Sequence, residues 1–314
     1  MLQYFIQEFK ILDSTLVEVI ISNNASTDGT LAVLSKYEKK YPWLTINNNF
    51  ENIGAAANMQ LLFAKASGVY FWMPGDDDYL KNGLLKKLVE ILINEKPNYV
   101  YLSRRNIIES SLSINPWGKK HDVFYDKLFN VNHNQLISLL YENFDDLKFQ
   151  TSSVFKRELL KVYEDEFCIY NKDIKADCHS MFRSIRSIQE GKSYFMSEVS
   201  ILSGDEILWG DTAFYYQFVC DPAFVEGLIN FGFTKSECDK IKKRQLAAII
   251  MYALLNGAKR KKWVQEGKPG FSFCLLPIML KLVVRTILRK FGYSISHVYC
   301  NVEIENYLPP KAAF

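Results

Sequence analysis

The sequence predicts an α/β domain in which a mostly parallel sheet is flanked by helices. Short runs rich in β-branched and aromatic residues recur early in the chain: Val17-Glu18-Val19-Ile20-Ile21, Val69-Tyr70-Phe71-Trp72 and Tyr99-Val100-Tyr101-Leu102. Between them lie segments whose apolar residues fall at helical spacing, most clearly Leu84, Leu85, Leu88, Val89 and Leu92. Strand and helix alternate rather than cluster, the pattern left by crossovers between parallel strands.

The elements follow in order. Leu2, Phe5, Ile6, Phe9 and Leu12 form one apolar stripe, so the chain opens on an amphipathic helix. Val17 to Ile21 is a strand. Ser22-Asn23-Asn24-Ala25-Ser26-Thr27-Asp28-Gly29-Thr30 is a turn with helix-starting chemistry, followed by a helix through Lys40 in which Asp28 serves as cap. Leu44-Thr45-Ile46 is a short strand, and Asn52-Ile53-Gly54 leads into a helix over 55–66. The strand at Val69, an acidic bend, a helix ending at Asn94 and the strand at Tyr99 complete the series. Sheets of this kind normally begin on a strand, yet this chain begins on the helix that should follow one. The expectation is a sheet lacking its first, central strand.

With 314 residues, 48% of them hydrophobic, the chain can bury a sizeable core as one large domain or a domain with an appendage. A net charge of only +3 supplies no global argument for nucleic acid, which is not expected as a partner. The cysteines at 168, 178, 220, 238, 274 and 300 form no Cys-x-x-Cys pair, which suits reduced cytosolic thiols. The four histidines are scattered, so a zinc site is not expected. No signal-peptide pattern, internal repeat or low-complexity tract is present.

The chemistry centres on Met73-Pro74-Gly75-Asp76-Asp77-Asp78-Tyr79-Leu80. Three carboxylates stand where a strand ends and a helix has yet to begin, the edge at which open parallel sheets bind ligands. Adjacent carboxylates repel one another unless they share a cation. A hard divalent ion, Mg²⁺ or Mn²⁺, bridging to a phosphorylated substrate resolves that repulsion. The competing reading is an acidic turn that caps the next helix.

Taken together, the stretch from Val17 to Thr30, Asn52-Ile53-Gly54 with Asn58, and Gly75-Asp76-Asp77-Asp78 resemble family 2 glycosyltransferases of the GT-A fold, closest to the bacterial O-antigen, abequosyltransferase-like group. The resemblance covers 1–105 well and 145–205 loosely. It implies that Asn23 and Asn24 lie against the nucleotide base, where the family usually has an Asp in the pair. It also implies that Gly54 opens a helix beside the nucleotide and that Asn58 faces the same cleft. For Asn23 the alternative is a turn residue, for Asn58 an ordinary polar helix position. The acidic triplet corresponds to the family's DxD region, with Gly75 in place of its first Asp. Asp77 then matches the metal-coordinating position, Asp76 reaches sugar or ribose, and Asp78 is a structural cap. The implied cofactor is Mg²⁺ or Mn²⁺.

Beyond residue 105 the signal thins. Arg104 and Arg105 either contact phosphate or lie on the surface. Residues 109–130 read as a loop excursion, Leu136, Leu139 and Leu140 as a short helix, and Gln150 to Phe155 as the family's strand bordering the acceptor pocket. Another helix starts at Lys156-Arg157. Inverting transferases need a base for the acceptor hydroxyl, in this family an acid beginning a helix. By resemblance that base is Asp177, with Asp173 in reserve; the alternative makes Asp177 the cap of the helix carrying Met181, Phe182 and Ile185. Gly191 to Phe195 reads as a turn and strand.

The tail turns helical and partly basic. Lys240 to Asn256 is helix-like, Lys259-Arg260-Lys261-Lys262-Trp263 follows, and the segment from Phe271 to Phe291 is apolar with Lys281, Arg285 and Arg289 on one stripe. From Pro277 a helix covers about 20 Å at 1.5 Å per residue, short of the roughly 30 Å hydrocarbon core. It either lies in the interface of an anionic leaflet or packs on a core with its basic edge solvated.

The expected organisation is a GT-A domain over 1–215 lacking its first strand, then a helical extension over 216–314 that associates with the membrane. The expected activity is metal-assisted, inverting transfer from a nucleoside-diphosphate sugar to a hydroxyl of a polyprenyl-diphosphate-linked oligosaccharide, at the inner-membrane surface, in O-antigen synthesis. The rival is an inactive remnant acting as a membrane-associated scaffold. A Mg²⁺-dependent phosphatase with Asp76 as nucleophile lacks a supporting Lys and Thr pattern.

Overall fold

The computed structural model of the chain describes residues 1–108, 113–114, 126–161, 179–204, 221–255 and 280. These fall into two compact units, one drawn from Met1–Asn132 and Asp145–Leu208, the other from His133–Phe144 and Trp209–Asn301. The boundary expected near residue 215 lies outside the described residues.

The first unit opens on α1 (Leu2–Glu8), with Tyr4, Phe5 and Glu8 buried. A buried glutamate needs partners, and Glu8 finds them on α4 (Leu84–Asn94), whose own N-terminus carries no side-chain cap. The Glu8 carboxylate accepts from the amides of Gly83 at 2.6 Å and Leu85 at 3.1 Å, and the Tyr4 hydroxyl accepts from Leu85 N at 2.9 Å. One helix thus satisfies the orphan donors of another. The glycine before α4 sits at φ +79°, a left-handed turn that L side chains resist. Along α4, Leu84, Leu85, Leu88, Val89 and Ile91 are buried, the helical phase expected from the sequence.

Strands β1 (Val19–Asn23) and β2 (Leu44–Asn48) pair in parallel, from Val19 opposite Leu44 to Asn23 opposite Asn48. The crossover between them carries α2 (Thr30–Glu38), whose first amide donates to Asp28 Oδ1 at 2.9 Å. The next helix, α3 (Ala55–Lys65), leads to a seven-stranded sheet. Its order is β3 (Tyr70–Trp72), β8 (Ser153–Lys156), β5 (Tyr99–Ile108), β9 (Lys192–Gly204) and β4 (Tyr79–Leu80), with β6 (Ser113–Ile114) on β5 and β7 (Leu128–Asn130) on β9. The two short strands β6 and β7 lie within the stretch expected as loop.

The sheet corrects the expectation of a mostly parallel arrangement. Among the described residues only β1–β2 and β5–β9 run parallel; β3–β8, β5–β8, β5–β6, β4–β9 and β7–β9 are antiparallel. Alternation of strand and helix reports element type, whereas β8 inserts between β3 and β5 from a distant part of the chain and in the opposite direction. No ladder joins β1 to β3. Glu18, just before β1, instead accepts from the amides of Ser67 at 2.6 Å and Gly68 at 2.7 Å, ahead of β3.

One core serves both sheets. Tyr4, Phe5, Val19, Leu44, the α4 leucines, Val100, Leu102, Val154, Met196 and Ile201 form a continuous buried cluster. Strand β5 is its spine: Tyr99, Val100, Tyr101 and Leu102 are each wholly buried, as a strand covered on both faces must be. On another side, α7 (His179–Gln189) buries Met181, Phe182, Ile185 and Ile188, the residues expected for that helix and one more. Between β8 and α7 lies the short α6 (Arg157–Lys161).

The second unit contains the start of α5 (His133–Lys148), a helix broken at Asn143 by non-helical angles. With it are α8 (Asp221–Gly227) and α9 (Lys235–Leu255). Phe144 packs edge-on against Phe224 at 5.7 Å. Thr234 and Glu237 form a reciprocal capping box at the head of α9, with Thr234 N to Glu237 Oε2 at 2.8 Å. Among the described residues no helix is long and apolar enough to cross a membrane, and the basic apolar segment over 271–291 lies outside them apart from Leu280.

Candidate active site

The acidic bend leaves β3 and enters β4. Its three aspartates part company there. Asp76 and Asp77 are exposed, while Asp78 turns inward and is 8% exposed. Thr151, in the single 3₁₀ turn Gln150–Ser152 ahead of β8, explains the inward turn. Its hydroxyl donates to Asp78 Oδ2 at 2.5 Å and accepts from Gly75 N at 2.9 Å. Its carbonyl accepts from Trp72 Nε1 at 2.8 Å. Burial pushes the Asp78 carboxyl up to about 6, the Thr151 hydrogen bond and the Arg104 charge opposing and the Asp77 charge adding to the rise. Asp78 therefore does not cap the next helix, correcting that expectation: α4 starts at Leu84 and takes its cap from Glu8 and Tyr4.

Gly75 leaves little space for a side chain unless the neighbouring carboxylates shift. A Cβ there would stand 2.7 Å from Asp77 Oδ1 and 2.8 Å from Asp78 Oδ2. Two carboxylate oxygens thus converge on one bare α-carbon.

Arg104 meets neither of its expected fates. It is 8% exposed, donates to Asp146 Oδ1 at 3.4 Å and Ser203 Oγ at 3.2 Å, and stacks 4.0 Å above the Phe149 ring. That makes it an interior strut beneath the bend. Arg105 is half-buried.

A second constellation joins the carboxyl ends of β1 and β2 to the start of α3. Asn58 Oδ1 accepts from Ser22 Oγ at 2.6 Å and Asn49 Nδ2 at 2.8 Å. Asn47 Nδ2 reaches Ser22 Oγ at 2.9 Å and Asn49 Oδ1 at 2.7 Å. Asn24 accepts from Asn49 Nδ2 and Ile53 N, both at 3.1 Å, and donates to Asn52 Oδ1 at 2.9 Å. Gly54, at φ +83° and ψ 156°, donates its amide to the same Asn52 oxygen at 2.9 Å; those angles are open to glycine almost alone. An amide both donates and accepts, so asparagines close such a network without the repulsion carboxylates would bring.

Asn23 is committed to this framework. It is 4% exposed, donates to Asn48 Oδ1 at 2.6 Å and accepts from Ser26 N at 3.1 Å, the turn alternative weighed for it. Asn24 and Asn58 are half-buried, and Gly54 is exposed. Bend and network are linked: Gln150, beside Thr151, donates to Met59 Sδ at 3.0 Å, beside Asn58. The sequence-predicted residues Asn24, Gly54, Asn58, Asp76 and Asp77 are thereby brought to the carboxyl ends of β1, β2 and β3. Asp177 and Asp173 lie outside the described residues, which resume at His179.

Sequence reasoning named Ser22, Asn52 and Thr151 only as members of longer motifs, without a role of their own, and did not single out Asn47 or Asn49. For the asparagines a signal existed, the run Asn47-Asn48-Asn49 at the end of a strand in register with Ser22-Asn23. For Thr151 there was none, because its partners lie more than seventy positions away.

Comparison with known proteins bears on this arrangement. The model of the family described as Glycosyl transferase family 2 matches residues 3–162. Abequosyltransferase RfbV of Salmonella typhimurium is 30% identical over 129 residues, 39% of this chain and 38% of that protein. The uncharacterized protein Mb1547 of Mycobacterium bovis is 30% identical over 142 residues, 42% of this chain and 40% of its own length. The chain thus spans about two-fifths of the curated relatives it matches. Among solved structures, S. aureus TarS 1–349 in complex with UDP-GlcNAc superposes with a TM-score of 0.53 at 13% identity, over 92% of this chain and 76% of that one. Mannosyltransferase PcManGT from Pyrobaculum calidifontis, in complex with GDP-Man and Mn²⁺, gives 0.51 at 14%, over 93% and 79%. At such identities the likeness shows the fold. With the family model spanning half of its length over the strands, bend and amide network just described, the chain belongs to glycosyl transferase family 2 and has the GT-A fold.

Proposed function

We propose that the chain transfers a sugar from a nucleoside-diphosphate donor to a hydroxyl of a polyprenyl-diphosphate-linked oligosaccharide, with inversion, in surface polysaccharide synthesis of the O-antigen kind. One observation carries the donor site: a bend at the carboxyl end of β3 holds two aspartates toward solvent while a third is pinned inward. The structural relatives are complexes with UDP-GlcNAc in one case and with GDP-Man and Mn²⁺ in the other, which supports a nucleotide-sugar donor and a divalent ion. The match to RfbV supports the O-antigen assignment.

The residues present fit Mg²⁺ or Mn²⁺. Among the described residues no three His, Cys, Asp or Glu side chains gather to hold an ion alone. Ions of this type bind through one or two carboxylates and complete their shell with substrate phosphates and water. Asp76 and Asp77 face solvent at the bend, where substrate phosphates and water can complete such a shell. Asp77 would hold the ion, and Asp76 would reach sugar or ribose. The ion would supply positive charge against the negative charge growing on the departing nucleoside diphosphate.

The remaining work falls to the chain's own groups. Asn24, Gly54 and Asn58 present polar atoms at the edge where the nucleotide lies, on a framework braced by Asn23, Asn47 and Asn49. Asp177 takes the proton of the acceptor hydroxyl as its oxygen attacks the anomeric carbon from the face opposite the diphosphate. The carbon–oxygen bond to phosphate breaks, its electron pair leaves with the diphosphate, and the configuration inverts. The segment over 271–291, with its basic stripe, places the enzyme at the inner-membrane surface beside a lipid-linked acceptor.

Calorimetry with UDP, CDP, GDP and dTDP in the presence of Mn²⁺ tests the donor half, with binding of at least one expected. Failure to bind any of the four overturns it and favours the scaffold alternative. Asp77→Ala and Asp177→Asn should each abolish transfer to an extracted lipid-linked acceptor; full activity in either removes that residue's role.

A further inference from the structure

The geometry points to Thr151 as a positioning residue for the donor site: its single hydroxyl sets the curvature of the acidic bend and so the direction of Asp77. Thr151 is 3% exposed and belongs to the turn that delivers the chain into β8. That strand is anchored on both sides, Val154 standing opposite Trp72 of β3 and Ser153 opposite Tyr101 of β5. The hydroxyl is therefore a fixed point relative to the sheet.

A threonine hydroxyl has one proton to give and lone pairs to receive with. Here the proton goes to Asp78 Oδ2 at 2.5 Å and a lone pair takes the Gly75 amide at 2.9 Å. Gly75 and Asp78 are the two ends of the bend, and Asp76 and Asp77 are the residues between them. Trp72 Nε1, bonded to the Thr151 carbonyl at 2.8 Å, holds the strand end just before the bend to the same residue. With both ends tied to one oxygen, the backbone between them is held, and with it the directions in which the side chains of Asp76 and Asp77 leave it. Asp77 Oδ1 lies where a Cβ on Gly75 would be met at 2.7 Å. Valine at 151 would keep the shape and remove both bonds, taking the hydroxyl away from a buried carboxylate and from the Gly75 amide. Serine would keep both.

The functional part of this inference rests on the donor-binding reading above, so the test separates the two. The full chain, Thr151→Val and Thr151→Ser are compared by amide hydrogen exchange at Gly75 and by Mn²⁺-dependent binding of the nucleoside diphosphate that the unmodified chain binds. Thr151→Val is expected to speed exchange at Gly75 and weaken the Mn²⁺-dependent part of binding, each by about tenfold, with metal-free nucleotide binding little changed. Thr151→Ser is expected to restore both. Unchanged exchange at Gly75 in Thr151→Val overturns the inference, and so does altered exchange with unaltered Mn²⁺ dependence. An unmodified chain that shows no Mn²⁺-dependent binding overturns the donor reading itself, and the functional part of the inference with it. Should Thr151→Val fail to fold, Thr151→Cys, close to serine in shape and a weak donor, is set against Thr151→Ser in the same two measurements, with the same outcomes deciding.

Discussion

Placing an aspartate at position 75 should damage this protein. The backbone at Gly75 does not have the positive φ that would bar a side chain. The obstacle is steric: a Cβ would lie 2.7 Å from Asp77 Oδ1 and 2.8 Å from Asp78 Oδ2. Ordinary contact begins at 3.4 Å, so each oxygen must retreat by roughly 0.6 Å. Asp77 is exposed and swings away cheaply, losing its aim. Asp78 is pinned by Thr151 and can retreat only by stretching a buried hydrogen bond to a charged group. Loss of such a bond costs about 1.5–3 kcal/mol, so Gly75→Ala should lower unfolding stability by that amount. Gly75→Asp should cost more, since a further carboxylate joins two others. Urea unfolding followed by tryptophan fluorescence reads the stability, with Trp72 at the bend as an internal reporter. In a Thr151→Val background the Asp78 bond is already gone, so the added cost of Gly75→Ala should shrink by on the order of 1 kcal/mol. A Gly75→Asp chain that unfolds at the original urea concentration and binds nucleotide with Mn²⁺ more tightly would refute the reasoning.

Three further outcomes are expected. The Asp78 carboxyl titrates near 6 when folded, above the ordinary value of 3.8, so the folded state holds this proton more tightly than the unfolded chain. Its contribution to stability should therefore fall, by on the order of 2 kcal/mol, as pH rises from about 4 to about 6. Metal-free urea titrations across that range should show the slope, and Asp78→Asn should remove it. Glu8→Ala strips the carboxylate from a buried helix start, leaving the Gly83 amide short of an acceptor and the Leu85 amide with the Tyr4 hydroxyl alone. It should cost about 2–4 kcal/mol in thermal or urea unfolding, against a negligible effect for the exposed Glu51→Ala. Asn58→Ala removes the acceptor of both Ser22 Oγ and Asn49 Nδ2. A loss of about 1–2 kcal/mol is expected, with faster exchange of the Ile53 and Gly54 amides, and unaltered exchange there would argue that the network does not brace that loop.

Much of this protein was legible in its residues because helix phase and strand composition are properties of near neighbours. The buried stripe of α4 and the strand at Tyr99 needed only local spacing to be found, and Asp28, expected as a cap, accepts from the Thr30 amide although Gly29 holds the N-cap position. Resemblance to the family rested on equally local motifs, which is why the membership could be recognised early. What remained hidden involved groups far apart along the chain. The direction of β8 between β3 and β5 depends on where a distant segment enters the sheet. Glu8 serves a helix 75 residues away, and Asp78 is held by a threonine 73 residues away. Three consecutive aspartates read alike in sequence, but burial and one hydroxyl divide them into two that face solvent and one that does not. Such a division is a matter of which atoms exclude water and which supply a partner, and the folded chain alone determines both.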